Sequence, residues 1–129
     1  MNVARPRYGD IFEDEEKTEL ACIFWASVVD HLKENELLSC VRLKLADRYV
    51  RALVQYDFLS PTALSEGPVK RGPNGGDVFN FNWSAVEKLD DRLAKFEAAL
   101  LIDPKSMGLR LVEKKPEEKR TAADEFLDG

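Results

Sequence analysis

This sequence predicts a mainly α-helical protein: an antiparallel helical hairpin over about 19–33 and 37–59, a small β-hairpin or loop, and two C-terminal helices. Three observations predict it. Apolar residues recur at spacings of three and four through three long stretches, the period of a helix face. The break at Glu34-Asn35-Glu36 is short, so the helices on either side of it should fold back antiparallel. Two helix-start signatures, Ser84-x-x-Glu87 and Asp103-Pro104, stand before the last two stretches.

Residues 1–17 read as an acidic lead-in, with Asp10, Glu13, Asp14, Glu15 and Glu16 nearly consecutive. Such a run is solvated, and its charge suits the approach to a helix N-terminus. Thr18 is the expected cap of the first helix. Leu20, Phe24, Ser27, Val28, His31 and Leu32 form one apolar stripe, and Ala21, Trp25 and Val29 form a second. A helix apolar on two sides needs burial on both. In so short a chain the second side is assigned to a neighbouring copy, with Leu20, Phe24, Trp25, Val28 and Leu32 as the expected oligomer interface.

The second helix carries a seam of Leu38, Val41, Leu45, Tyr49, Ala52, Tyr56 and Leu59. Ser60-Pro61 should stop it and start a further turn, closed by Gly67. Asn74-Gly75 is a turn signal that Val69 and Val78-Phe79 flank as a hairpin, with a loop as the alternative. From Ser84 a capping box leads into Val86, Leu89, Leu93, Phe96 and Leu100, a seam suited to packing on another helix. Asp103 then caps a short helix from Pro104 to about Val112. Residues 18–112 therefore make the domain, and 113–129 a flexible charged tail. In the tail, Phe126 and Leu127 among acids read either as a docking motif or as a frayed end.

Composition narrows the function. The 129 residues are 44% apolar, enough for one core, and the formal charge is −5. That balance fits a cytoplasmic protein, and any nucleic-acid contact must then use local basic patches. No apolar run approaches a membrane span, and Met1 to Arg7 lacks the apolar core of a signal peptide. Cys22, Cys40 and the single His31 have no zinc-site spacing, so both cysteines are expected as reduced core thiols and His31 as a core histidine. No cofactor is implied.

No catalytic constellation stands out. Gly72-Pro73-Asn74-Gly75-Gly76 lacks the lysine and following helix of a phosphate loop. Asp90 and Asp91 share a helix with Lys88, Arg92 and Lys95, a charge-laced solvent face on which Asp91 and Lys95 can pair. The basic positions are more informative. Lys44, Arg48 and Arg51 fall on one line of the second helix, and Lys70 and Arg71 approach the hairpin. These five are the candidate DNA contacts, through phosphate neutralisation. An ordinary solvated face is the alternative, since Asp47 lies within reach of Lys44 and Arg51.

The order of elements resembles the phage terminase small subunits, the short helical type encoded beside a large terminase. The matching features are the helix bearing Trp25, the turn Glu34-Asn35-Glu36-Leu37-Leu38, and the long helix with Tyr49 and Tyr56. The Gly-rich link through Gly76 and the closing Leu101-Ile102-Asp103-Pro104-Lys105-Ser106 complete the match, over roughly residues 18–112. In that family the closing segment commonly reads Gly-Leu-Thr-Pro-x-Ser-Arg. Here Met107 stands at the arginine position, with Arg110 three residues further on. The resemblance implies a non-enzymatic packaging factor in the host cytoplasm, a homo-oligomeric ring that recognises the packaging start site on double-stranded viral DNA. It would deliver that site to a large ATPase/nuclease subunit, with Phe126 and Leu127 as the docking contact. Two other classes compete: a helical transcription regulator, for which the start Leu37-Leu38-Ser39-Cys40 is poor in base-reading groups, and an acidic protein-binding adaptor.

Overall fold

The computed structural model describes residues 3–110. It holds four helices, α1 (Tyr8–Ile11), α2 (Glu15–Glu34), α3 (Cys40–Glu66) and α4 (Phe81–Leu100), and one antiparallel pair, β1 (Val69–Arg71) and β2 (Asp77–Phe79). The long α3 is central. Both α2 and α4 pack along it, and α1 packs on α2. Because two helices cover α3, its buried residues Ala46, Tyr49, Val50, Ala52, Leu53, Val54, Ser60 and Ala63 exceed a single stripe. The expected α3 seam is right at Tyr49 and Ala52 and fails at Val41, which is 70% exposed.

The acidic run is less of a lead-in than its charge implies. Asp14 caps α2, its carboxylate accepting from the Glu16 amide at 2.8 Å, and Glu15 and Glu16 form the first turn beside the positive end of the helix dipole. The Thr18 hydroxyl, expected as the cap, instead donates to the carbonyls of Phe12 and Asp14. Ahead of it, α1 buries Tyr8, whose ring meets Trp25 edge-on at 6.4 Å.

This contact corrects the oligomer expectation for α2. Phe24, Trp25, Val28 and Leu32 are buried in the chain's own core, and Leu20 packs partly buried against it. The second greasy side is covered by α1 and α3 of the same molecule, so its burial needs no neighbouring copy.

Ser39 caps α3, accepting from the Arg42 amide at 3.1 Å, so the helix begins at Cys40 rather than Leu37. It then runs through Pro61 instead of stopping before it. Ser60 and Ala63, buried on either side of the exposed Pro61, hold the last turns against the core. Gly67, at φ 80° and expected to close a separate turn after Pro61, instead ends α3 itself. The hairpin pairs Val69 with Phe79, Lys70 with Val78 and Arg71 with Asp77. Gly72 is demanded there: a Cβ would lie 2.7 Å from Val78 Cγ1.

Asn80 begins α4. Its side-chain oxygen accepts from the Asn82 amide at 3.1 Å while its Nδ2 donates to the Gly67 carbonyl at 2.8 Å, tying the helix start to the end of α3. The expected capping box at Ser84 does not form, because α4 is already under way. The Ser84 amide bonds the Asn80 carbonyl, and Glu87 accepts from Trp83 Nε1 at 2.6 Å. The seam itself is as read: Val86, Leu89, Leu93 and Leu100 are buried, and Phe96 is packed against them.

After α4, Leu101 turns through φ 55° and the chain folds back with Ile102, Pro104 and Leu109 buried. The expected helix from Pro104 is a single capped turn among the described residues. Ser106 Oγ donates to Asp103 Oδ2 at 2.6 Å, holding that carboxyl below the usual carboxylate range, and Gly108 at φ 68° ends the turn. The far end of that helix at Val112, the tail and its Phe126 and Leu127 lie outside the described residues.

Candidate anion-binding groove

On α4 the residues opposite the buried seam are Lys88, Arg92 and Lys95, spaced as neighbours on one helix edge. Across from them α3 presents Arg48, Arg51, Gln55 and Phe58, also at spacings of three and four. Between these edges runs an open groove. One part, about 480 Å³, is lined by Lys17, Gln55, Phe58, Leu59, Ala85, Lys88, Leu89 and Arg92. A second, about 350 Å³, is lined by Arg48, Arg51, Ala52, Gln55, Arg92 and Phe96. They share Gln55 and Arg92, and a further hollow, which again takes in Lys88 and Arg92, is completed by Asp91 and Lys95.

The groove therefore gathers Lys17, Arg48, Arg51, Lys88, Arg92 and Lys95 around an apolar floor. Lys17 reaches it from the first turn of α2, with Nζ 5.3 Å from the centre of the Phe58 ring. Arg51 is satisfied internally by a two-pronged bond to Asp47 at 2.8 and 3.1 Å. Among the described residues, Arg48, Lys88, Arg92 and Lys95 take part in no ion pair; the expected Asp91–Lys95 pair does not form. Although Asp91 lines the hollow and Asp47 pairs Arg51, the cations here outnumber the acids among the described residues, and cations on a low-dielectric wall concentrate positive potential in a cleft.

The structure divides the five sequence candidates. Arg48 and Arg51 meet in the groove with Arg92, while Lys44 lies exposed one turn further toward the start of α3. Lys70 and Arg71 sit on β1 past the other end of α3, whose last residue Glu66 is about 22 Å along the helix from Arg51 by the helical rise. Lys70 is drawn toward Glu66 at 3.9 Å. Lys17, Lys88, Arg92 and Lys95 were missed as site residues. The run Lys88, Arg92, Lys95 was visible as one edge of a helix, but nothing local shows that α3 sets its own arginines opposite.

On the other side of α4 lies a buried polar cluster. Glu97 accepts from Tyr49 Oη at 2.7 Å and from Arg110 Nε and Nη2 at 2.8 and 2.7 Å, while Arg110 Nη1 reaches Asp90 at 2.6 Å. Burial alone would lower the Arg110 pKa, but the bonds and charges of Glu97 and Asp90 overcome this and raise it. Burial and the Glu97 carboxylate push the Tyr49 phenol up. Each of these groups is satisfied by the others, which makes the cluster a lock on the turn after α4. His31 works similarly at the bundle's end. Its Nε2 lies 3.0 Å from the Leu100 carbonyl, and its Nδ1 3.3 Å from Asn35 Nδ2. With Nε2 protonated, it donates to a carbonyl that α4 leaves unpaired at its C-terminus.

Cys22 is partly buried and Cys40 is exposed at the start of α3, so only the first fits the expected core thiol. Among the described residues no three His, Cys, Asp or Glu side chains converge as a metal site requires, and no helix is long and apolar enough to cross a membrane. Fold and groove together define a class, a small mainly helical domain with a cationic cleft along its central helix. No family model, curated protein or solved structure matches the chain.

Proposed function

We propose that this protein is a non-enzymatic DNA-binding factor of viral genome packaging, of the terminase small-subunit kind, and that it holds duplex DNA through the α3–α4 groove. The observation that carries the DNA part is the set of cations Arg48, Lys88, Arg92 and Lys95, which take part in no ion pair among the described residues and are concentrated on one cleft of an otherwise acidic chain. Such a patch neutralises backbone phosphates without reading sequence, and repetition in an oligomer multiplies its effect. The packaging part rests on the sequence resemblance, which also implies delivery of the start site to a large ATPase/nuclease subunit. Ring assembly belongs to the same proposal. Its surface is not the α2 stripe, which the core covers. The exposed Phe79 and Phe81, in edge contact at 5.7 Å beside the hairpin, are the better candidates.

Fluorescence anisotropy of a labelled duplex across a salt series tests the reading. Wild-type protein should bind with affinity that falls steeply as salt rises, and Lys88→Glu with Arg92→Glu should abolish that binding. Equal affinity for the double variant would sink the groove as the DNA site. Native mass separates the ring from a dimeric regulator.

The exposed Phe79–Phe81 pair also favours a protein-binding adaptor, the second reading. Loss of a protein partner without loss of DNA binding in Phe81→Ser would support it.

A further inference from the structure

We infer that the chain's own segment 124–128, Asp-Glu-Phe-Leu-Asp, docks in the groove between α3 and α4, and that DNA displaces it. The inference rests on the DNA-binding reading and adds a regulator to the same site. A DNA backbone would use the cations of the cleft, but it has nothing to offer the floor. That floor holds Phe58, at 36% exposure, beside Leu59 and Leu89, with Lys17, Lys88 and Arg92 around it. An occupant that matches both parts carries negative charge and large apolar side chains within a few residues. Segment 124–128 has three acids, one Phe, one Leu and no cation. The open concavity of about 480 Å³ lies within the roughly 300–1,000 Å³ of clefts that take small ligands, a scale that suits the Phe126 and Leu127 side chains rather than the whole segment.

The tether permits it. Arg110 is held on the α3–α4 body by Glu97 and Asp90, and 13 residues (111–123) separate it from Asp124. Extended, they span up to about 45 Å. The path from the Asp90–Glu97 side of α4 to its Lys88–Arg92 side rounds one helix, about 10–12 Å across. A tether of that length gives an effective concentration on the order of millimolar. Duplex DNA, binding several cations at once, expels the segment and frees Phe126 and Leu127 for a partner. Occupancy of the groove would thereby be signalled outward.

The test compares amide NMR spectra and duplex affinity of the full chain with those of Phe126→Ala/Leu127→Ala, which leaves every charge in place. Docking predicts shifted amides at Phe58, Leu59, Lys88 and Arg92 in the variant, and a higher duplex affinity, because a competing occupant lowers apparent affinity by the open fraction. Groove amides identical in the two proteins would overturn it. Shifts that vanish on dilution would overturn the single-chain form by placing the segment on a second copy. If the groove amides move but neither protein binds duplex, docking stands and the DNA reading fails. If Lys88→Glu/Arg92→Glu abolishes duplex binding while Phe126→Ala/Leu127→Ala changes nothing, the DNA reading stands and docking fails.

Discussion

Arg110 closes a two-pronged ion pair on Glu97, thirteen residues before it, with Nε 2.8 Å from Oε2 and Nη2 2.7 Å from Oε1. Both side chains are almost fully buried, and the guanidinium stacks 5.5 Å from the Tyr56 ring centre. The pair fastens the turn after α4 to the body of the bundle. That turn supplies Ile102 and Leu109 to the core and sets where the rest of the chain departs.

Removing one partner strands a buried charge. Glu97→Ala should cost about 3–5 kcal/mol in urea unfolding, and the paired change Glu97→Leu/Arg110→Met should cost less than that single substitution. A Glu97→Ala protein as stable as wild type would show that the pair contributes little.

Two phenols should resist alkali. Burial foremost, helped by the negative charges of Asp47 and Glu97 respectively, raises Tyr8 and Tyr49 far above the usual value near 10. A raised pKa means the folded state binds the proton more tightly. The stability it contributes is therefore complete below pH about 10 and falls as pH climbs beyond it. Phenolate absorbance should show both tyrosines silent until the protein unfolds in alkali. Early, reversible ionisation of all three tyrosines would contradict their burial.

Pro61 sits exposed inside α3, where it can donate no bond to the preceding turn. Pro61→Ala should restore the amide and stabilise the protein by about 1–3 kcal/mol, seen as a higher midpoint in urea. Destabilisation would mean that the proline ring is itself required by the local packing.

Arg92 and Arg51 line the same groove but differ in freedom: Arg51 is bound to Asp47, whereas Arg92 has no ion pair among the described residues. If the groove binds phosphate, Arg92→Ala should lower the salt slope of duplex binding by about 0.9, the value for one contact, and Arg51→Ala by less. The reverse order would place the DNA elsewhere on the surface.

Much of this architecture could be read from local pattern. The α4 seam from Val86 to Leu100, the helical stop at Gly67 (though not the continuity of α3 through Pro61) and the hairpin around Asn74-Gly75 all depend on periodicity and turn chemistry within a few residues. Boundaries were less legible where two caps competed. Asp14 prevailed over Thr18 by accepting from the Glu16 amide, and Asn80 prevailed over Ser84, its further bond to Gly67 joining two elements at once.

What the sequence determined alone was a helical hairpin with a further amphipathic helix, an acidic surface, and cations spaced along helix edges. Only the tertiary structure decided which faces are covered and which charges meet. Tyr8 of α1 closes over Trp25, removing the apparent need for a neighbour at α2. Arg110 finds Glu97 of α4 and the ring of Tyr56 on α3, residues on two other elements. Arg48 and Arg92, 44 positions apart, face one cleft. Periodicity records which side of a helix is apolar. It carries no record of which helix lies opposite, because that choice is made by contacts between residues far apart in the chain.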